Sequence, residues 1–83
     1  MKYNLYTIYD RVAEESAPPF AALNDAVAAR MFRALMNDEG IVSSDLNDYQ
    51  LVKIAEYDTS LVDGQISLVE PYSVDVLIKE NKE

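Results

Sequence analysis

Tyrosine is the residue type whose frequency and spacing in this sequence most favour a binding chemistry. Six of the 83 residues are tyrosine, and Tyr3 and Tyr9 share one face of any strand with a two-residue period. Aromatic rings displayed on a sheet can stack on the bases of single-stranded nucleic acid. Alternatively, these tyrosines are good strand residues whose hydroxyl groups seek water. The sequence leaves both interpretations open.

Arg30 and Arg33 are a basic pair three residues apart within the predicted helix. On a helix they project about 60° apart on the outer face, where they can contact phosphate groups. Alternatively, they form a solvated helix face that pairs with acidic loop residues. The candidate nucleic-acid-binding residues are therefore Tyr3, Tyr9, Arg30 and Arg33.

The residue types that the sequence lacks exclude several kinds of site. It has no histidine and no cysteine, which excludes a Cys/His zinc site and a histidine-based catalytic triad. With two glycines it cannot contain the glycine-rich phosphate-binding loops. The acidic clusters near residues 38–39 and 45–48 do not match a calcium-binding loop. We expect no catalytic residues, no cofactor, no metal site and no enzyme activity.

The net charge of −8 limits the partners of this chain. An acidic protein is repelled by a phosphate backbone at long range and is attracted to basic partners. No apolar run is long enough to span a membrane, and the N-terminal residues, which include Asp10, do not resemble a signal peptide. We expect the protein to remain in the compartment where it is made.

Residues 24–36 form the best predicted element, an amphipathic helix. Asn24 is a good N-cap, and Asp25 places a negative charge at the positive end of the helix dipole. A helical wheel places Arg30, Arg33 and Asn37 on the outer face. It places a core stripe opposite them, consisting of Val27, Ala28, Met31, Phe32 and Leu35.

Strand patterns occur on both sides of this helix. Residues 2–12 form the first predicted strand, 13–23 a connector with two prolines, and 49–58 the second strand. On the second strand, Tyr49, Leu51, Ala55 and Tyr57 are expected on one face, with Val52 and Ile54 on the other. After an Asp63-Gly64 turn, residues 65–69 form the return strand of a hairpin, and 73–79 could form a fourth strand.

The predicted fold is α+β, with one helix packed on a three- or four-stranded sheet in two layers. The predicted order is β-α-β-β, with or without a fourth strand, and a parallel first pair would make the helix a right-handed crossover. Residues 1–79 are expected to form a single domain, and residues 80–83 a frayed tail. Exposed edges of a small sheet favour pairing with a second copy, so a homodimer is expected.

Several segments resemble a known phage family. They are the opening M-K-Y-N-x-Y-x-I-Y-D-R-V, the connector ending in Pro-x-Phe, the helix start N-D-A-x-A-x-R-x-F and the later D-Y-x-L-x-K-I-x-E-Y-D of residues 48–58. Together they are similar to the small nonstructural, DNA-binding protein of microvirus or gokushovirus-like single-stranded DNA phages. The resemblance covers about two thirds of the chain and brings no site residues with it.

This resemblance implies a phage product of the host cell cytoplasm that is not a virion component. It implies a role in single-stranded DNA genome replication or in genome handling before packaging. The sequence supports two modes of action. The first is weak single-stranded DNA binding through Tyr3, Tyr9, Arg30 and Arg33. The alternative is an acidic protein–protein interaction module for a phage or host replication factor.

Overall fold

The computed structural model describes residues 1–41 and 43–77 of the chain. In this part of the chain the fold is mostly β, with one α-helix. The elements in chain order are β1 (Lys2–Asp10), β2 (Glu15–Ser16), β3 (Phe20–Ala22), α1 (Asp25–Asp38), a 3-10 helix (Ser43–Asp48), β4 (Tyr49–Asp58) and β5 (Gln65–Ser73).

The strands form one antiparallel sheet in the order β2-β1-β4-β5, and β3 also pairs with β1. The predicted β-α-β-β order is therefore wrong, although a small α+β fold with a helix on a sheet is partly correct. The predicted connector contains β2 and β3, which are two and three residues long. Strands this short show no period in sequence, and Pro18 and Pro19 between them favour a loop.

These two short strands also explain why β4 is antiparallel to β1. β3 runs back along β1 and returns the chain to the Asn4 end of that strand, where Ala22 pairs with Asn4. The helix then carries the chain to the opposite end, where the amide of Arg11 donates to the carbonyl of Asp48. A strand starting at that end must run antiparallel to β1, so the parallel crossover expected from the sequence does not form.

The C-terminal strand differs from the prediction as well. β5 continues through Pro71 to Ser73, and its register with β4 breaks between Lys53 and Ala55. An edge strand tolerates proline at such an irregularity because fewer ladder hydrogen bonds are needed there. Residues 74–77 of the predicted fourth strand are not in a strand. Residues 78 and 79, together with the predicted tail at 80–83, lie outside the described residues.

The start of α1 agrees with the prediction, whereas the helix face that packs on the sheet agrees with the predicted stripe only at Ala28 and Phe32. The Asn24 side chain accepts a hydrogen bond from the Val27 amide at 2.9 Å, as expected for an N-cap. The buried face is rotated by roughly 80° from the predicted stripe. It consists of Ala28, Ala29, Phe32 and Met36.

The rotation has a steric cause. Ala28 and Ala29 are fully buried, and their small side chains allow the helix to approach the sheet closely. Met31 and Leu35 are larger, and they remain 40% and 43% exposed at the side of the helix. A hydrophobicity wheel ranks Met and Leu above Ala, so it assigned the larger residues to the core.

The core lies between α1 and the half of the sheet formed by β1, β3 and the start of β4. Its largest fully buried side chains are Tyr6, Phe32 and Leu51. Phe20 stacks on Tyr6 with the ring centroids 5.8 Å apart. Val74 closes the core from the C-terminal side, and its amide donates to the Leu51 carbonyl at 2.8 Å. Among the described residues, no helix is long and apolar enough to cross a membrane.

Candidate interaction surfaces

On one face of the sheet, none of the residues that have a cross-strand partner is charged. Alternation along β1 places Tyr6 and Ile8 against the helix and Tyr3, Leu5 and Thr7 on the opposite face. Cross-strand partners share a face, so the register defines the rest of this surface. We call it the neutral face, and it consists of Tyr3, Leu5, Thr7, Tyr9, Ser16, Ala21, Gln50, Val52, Ala55, Tyr57, Ile66, Leu68 and Ser73.

The charged residues at positions in register all lie on the helix side of the sheet. They are Lys2, Asp10, Glu15, Lys53, Glu56 and Asp58. Lys53 and Glu56 form an ion pair at 3.2 Å there. Antiparallel sheets with a helix on one face normally expose a polar second face to water. In this protein the charged residues with a cross-strand partner lie on the helix side, and the second face is uncharged at such positions.

A register shift in β4 changes which of its residues share a face. Tyr6 pairs with Lys53 and Leu5 pairs with Ala55, so Ile54 is an extra residue between them. Tyr49 and Leu51 therefore face the helix, whereas Ala55 and Tyr57 lie on the neutral face. The predicted common face for these four residues is wrong because a bulge reverses the alternation.

Tyr3 and Tyr9 lie on the neutral face, as their common period predicts. Tyr3 is paired with Tyr57 across the β1–β4 ladder, and Tyr9 is paired with Gln50 near the other end. All three tyrosines are half-buried. Tyr57 was not among the predicted site residues because its place beside Tyr3 depends on the strand register.

Arg30 and Arg33 lie on the opposite side of the sheet from the two tyrosines. Arg30 is exposed on α1, and the Arg33 guanidinium donates to the Val76 carbonyl. Arg33 reaches this segment because the rotated helix places it next to the buried Ala29. The structure therefore does not bring the four predicted nucleic-acid-binding residues together on one surface.

A cluster of hydrogen bonds joins the sheet to the first turn of α1. The Tyr6 hydroxyl donates to Asp25 Oδ1 at 2.6 Å, and the Tyr72 hydroxyl donates to Asp25 Oδ2 at 2.8 Å. Asn4 Nδ2 donates to the Tyr6 hydroxyl at 3.0 Å. Burial first, and then the hydrogen bond to Asp25, raise the pKa of Tyr6 and of Tyr72. The cluster holds both phenols protonated, which fits a structural role.

A groove runs between α1 and the segment that leads from β2 to β3. Its floor is apolar and includes Ile8, Pro18, Phe20, Met31 and Leu35. We call it the acidic groove because its rim carries the carboxylates of Asp10, Glu15, Asp38 and Glu39.

The charges on the rim of the acidic groove are of one sign. Among the described residues that line it, none is Lys or Arg. Asp10 and Glu15 are direct cross-strand partners in the β1–β2 pair. Like charges placed directly opposite each other destabilise a strand pair, so a bound cationic group would relieve this repulsion. The sequence does not predict this groove, because β2 is too short to show a strand pattern and the helical wheel places Met31 and Leu35 in the core.

The chemistry of these surfaces is that of binding. In the described part of the chain, no three acidic residues are grouped so that they could hold a metal ion. The acidic groove presents carboxylates around an apolar floor, and the neutral face presents aromatic and aliphatic side chains. Each surface is suited to contact with another macromolecule.

Comparison with known proteins places the chain in a phage family. The sequence model of the Phage ORF5 protein family matches residues 3–80, a range that includes the helix and, apart from Lys2 at the start of β1, the strands of the described residues. The chain belongs to the Phage ORF5 protein family. Comparisons with curated proteins and with solved structures gave no significant match. The prediction of a phage protein is confirmed, and the narrower resemblance to a microvirus nonstructural protein stays a prediction.

Proposed function

We propose that this member of the Phage ORF5 protein family is a nonstructural accessory protein. It acts in the host cell cytoplasm during single-stranded DNA genome replication or genome handling before packaging, and it is not a virion component. Family membership supports a phage origin, and the opening strand and helix-start motifs support the narrower role. The proposal gives the protein no catalytic activity.

In this proposal the acidic groove carries the function. It binds a basic segment of a phage or host replication protein, a segment with apolar residues between its Lys or Arg side chains. The observation that carries the proposal is the pairing of exposed Met31 and Leu35 with a carboxylate rim. Apolar side chains of the partner would bury against the floor, and its cations would meet the rim.

The charge of the whole chain supports the same mode of binding. A net charge of −8 attracts a basic partner over several ångströms and raises the rate of encounter at low salt. Apolar contacts on the groove floor would then set how long the complex lasts, because rim charges mainly affect association.

Weak single-stranded DNA binding is a second candidate. It is favoured by the aromatic residues of the neutral face, where Tyr3 and Tyr57 are cross-strand partners and Tyr9 lies further along the strand. The position of Arg30 and Arg33 on the other side of the sheet weighs against it. Proteins that bind single strands combine stacking residues with a positively charged groove that follows the phosphates.

The test is a fluorescence titration of the full chain with two labelled probes at low ionic strength. One probe is a synthetic peptide of Lys and Leu residues, and the other is an oligothymidine. We expect the peptide to bind and the oligonucleotide not to bind. Leu35→Ser and the double variant Asp38→Asn/Glu39→Gln should each weaken peptide binding about tenfold, whereas Asp63→Asn in the distant β4–β5 turn should leave it unchanged.

A second experiment addresses the biological partner. The wild-type chain and Leu35→Ser are used as baits in lysates of phage-infected cells after nuclease treatment. We expect a replication protein to be retained by the wild type and lost with Leu35→Ser. Oligonucleotide binding that is lost in Tyr3→Ala would instead favour the DNA-binding mode.

A further inference from the structure

We propose that the neutral face packs against the neutral face of a second copy of this chain. The resulting dimer would have two sheets in the middle and the helices on the outside. This surface is separate from the acidic groove, so the proposal does not depend on the proposed function. It also differs from dimerisation through strand edges, which the sequence predicted.

The neutral face exposes apolar side chains. Leu68 is 86% exposed and Ile66 is 57% exposed, and Tyr3, Leu5 and Val52 are half-buried. In the described part of the chain, the helix lies on the other face of the sheet. The thinnest dimension of the molecule is 21 Å, which corresponds to two layers, since packed layers lie about 10 Å apart. A contiguous apolar surface of this kind marks an interaction site.

The charge distribution of the chain favours a second copy as the partner of the neutral face. Two copies of a chain with a net charge of −8 repel each other. In a two-fold dimer the same surface faces itself, so residues near the axis meet their own equivalents. A charged surface would then oppose like charges, whereas the in-register residues of the neutral face carry none to oppose. A polyanion such as DNA would find no cation on this face to offset its phosphates.

The size of the neutral face also bears on dimerisation. The three long strands β1, β4 and β5, spaced about 4.8 Å apart with roughly eight residues of 3.3 Å each, give a flat area of about 400 Å², and β2 and β3 add a short margin. Side chains of packed sheets interdigitate, so the accessible area buried exceeds this flat area. A standard stable interface buries about 800 Å² per partner. The flat area is about half of this value and the interdigitated side chains add to it, so the neutral face approaches the size that a specific dimer needs.

The test is the oligomeric state of the full chain, measured by analytical ultracentrifugation over a wide concentration range. We expect a reversible dimer of twice the 9.4 kDa chain mass that persists when salt is raised, because the in-register residues of the neutral face carry no charge. Leu68→Glu should weaken dimerisation at least about tenfold. Val12→Glu is the matched control, since Val12 is also exposed but lies in the turn after β1, off the neutral face, and it should dimerise like the wild type.

Ile66→Glu provides a second variant on the same face, and circular dichroism checks that all variants fold. A monomeric wild type at every concentration would overturn the proposal. Equal dimerisation by Leu68→Glu, Ile66→Glu and Val12→Glu would also overturn it, because the dimer would then use another surface. Dimerisation is also measured for the groove variants Leu35→Ser and Asp38→Asn/Glu39→Gln. If these variants lose peptide binding but dimerise like the wild type, the two surfaces act independently and each proposal stands or fails by its own measurement.

Discussion

The hydroxyl of Tyr6 donates a hydrogen bond to the carboxylate of Asp25 at 2.6 Å, and this contact joins the central strand to the start of the helix. The two residues are 19 positions apart in sequence. Asp25 lies in the first turn of α1, where its negative charge also faces the positive end of the helix dipole. The contact therefore fixes where the helix begins relative to the sheet.

Tyr6→Phe should lower the free energy of unfolding by about 2 kcal/mol, measured by urea denaturation. The substitution removes a hydrogen bond to a charged group and leaves Asn4 Nδ2 without its acceptor. Tyr72→Phe is the matched control, since its hydroxyl donates to the same carboxylate from an exposed position. It should cost only about 0.5 kcal/mol. Equal costs would contradict the structural role assigned to Tyr6.

Stability should fall as pH rises above about 10, the ordinary pKa of tyrosine. The folded state raises the pKa of both Tyr6 and Tyr72. Above pH 10 the unfolded chain loses these protons first, so it binds fewer protons than the folded chain and the unfolding free energy decreases with pH. Thermal unfolding between pH 8 and about 11 measures this slope. Tyr6→Phe/Tyr72→Phe should flatten it, and an unchanged slope would show that other groups cause the loss.

Met36→Ala should destabilise the protein by about 2–4 kcal/mol, because Met36 is 5% exposed in the core between α1 and the sheet. Leu35→Ala should cost less than about 1 kcal/mol, since Leu35 is 43% exposed beside the acidic groove. Chemical denaturation of the two variants compares neighbouring helix positions directly. The reverse order of costs would support the helix orientation predicted by the wheel.

Gly64→Ala should cost more stability than Gly40→Ala. Both glycines have positive φ, +59° at Gly64 and +73° at Gly40, so each substitution carries a backbone cost of about 1 kcal/mol. A Cβ at Gly64 would also lie 2.5 Å from the Tyr57 hydroxyl oxygen, whereas one at Gly40 meets nothing within 4 Å. Denaturation of both variants tests this, and the excess cost at Gly64 should disappear in a Tyr57→Ala background.

Local sequence patterns were enough to predict the elements that have a cap, a turn signal or a long run of periodic apolar residues. The Asn24 cap and the helix after it, the strand at Tyr49–Asp58 and the turn at Asp63-Gly64 are all present. Each of these elements depends on residues that lie within a few positions of each other, so its pattern can be recognised in the sequence.

The candidate surfaces were less predictable because they depend on contacts between distant segments. The placement of Tyr3 and Tyr9 on one face followed from a simple period, but the partnership of Tyr3 with Tyr57 required the strand register. The bulge at Ile54 reverses the faces of β4, and a two-residue period cannot anticipate it.

The sequence by itself determined the helix, the long strands, the acidic charge and the absence of histidine and cysteine chemistry. Tertiary structure decided the antiparallel topology, the rotation of α1 and the separation of Tyr3 and Tyr9 from Arg30 and Arg33. The physical reason is that β2 and β3 form only by pairing with β1, and Ala28 and Ala29 reach the core only when a sheet lies against them. Such choices are settled by packing, which involves residues far apart in the chain.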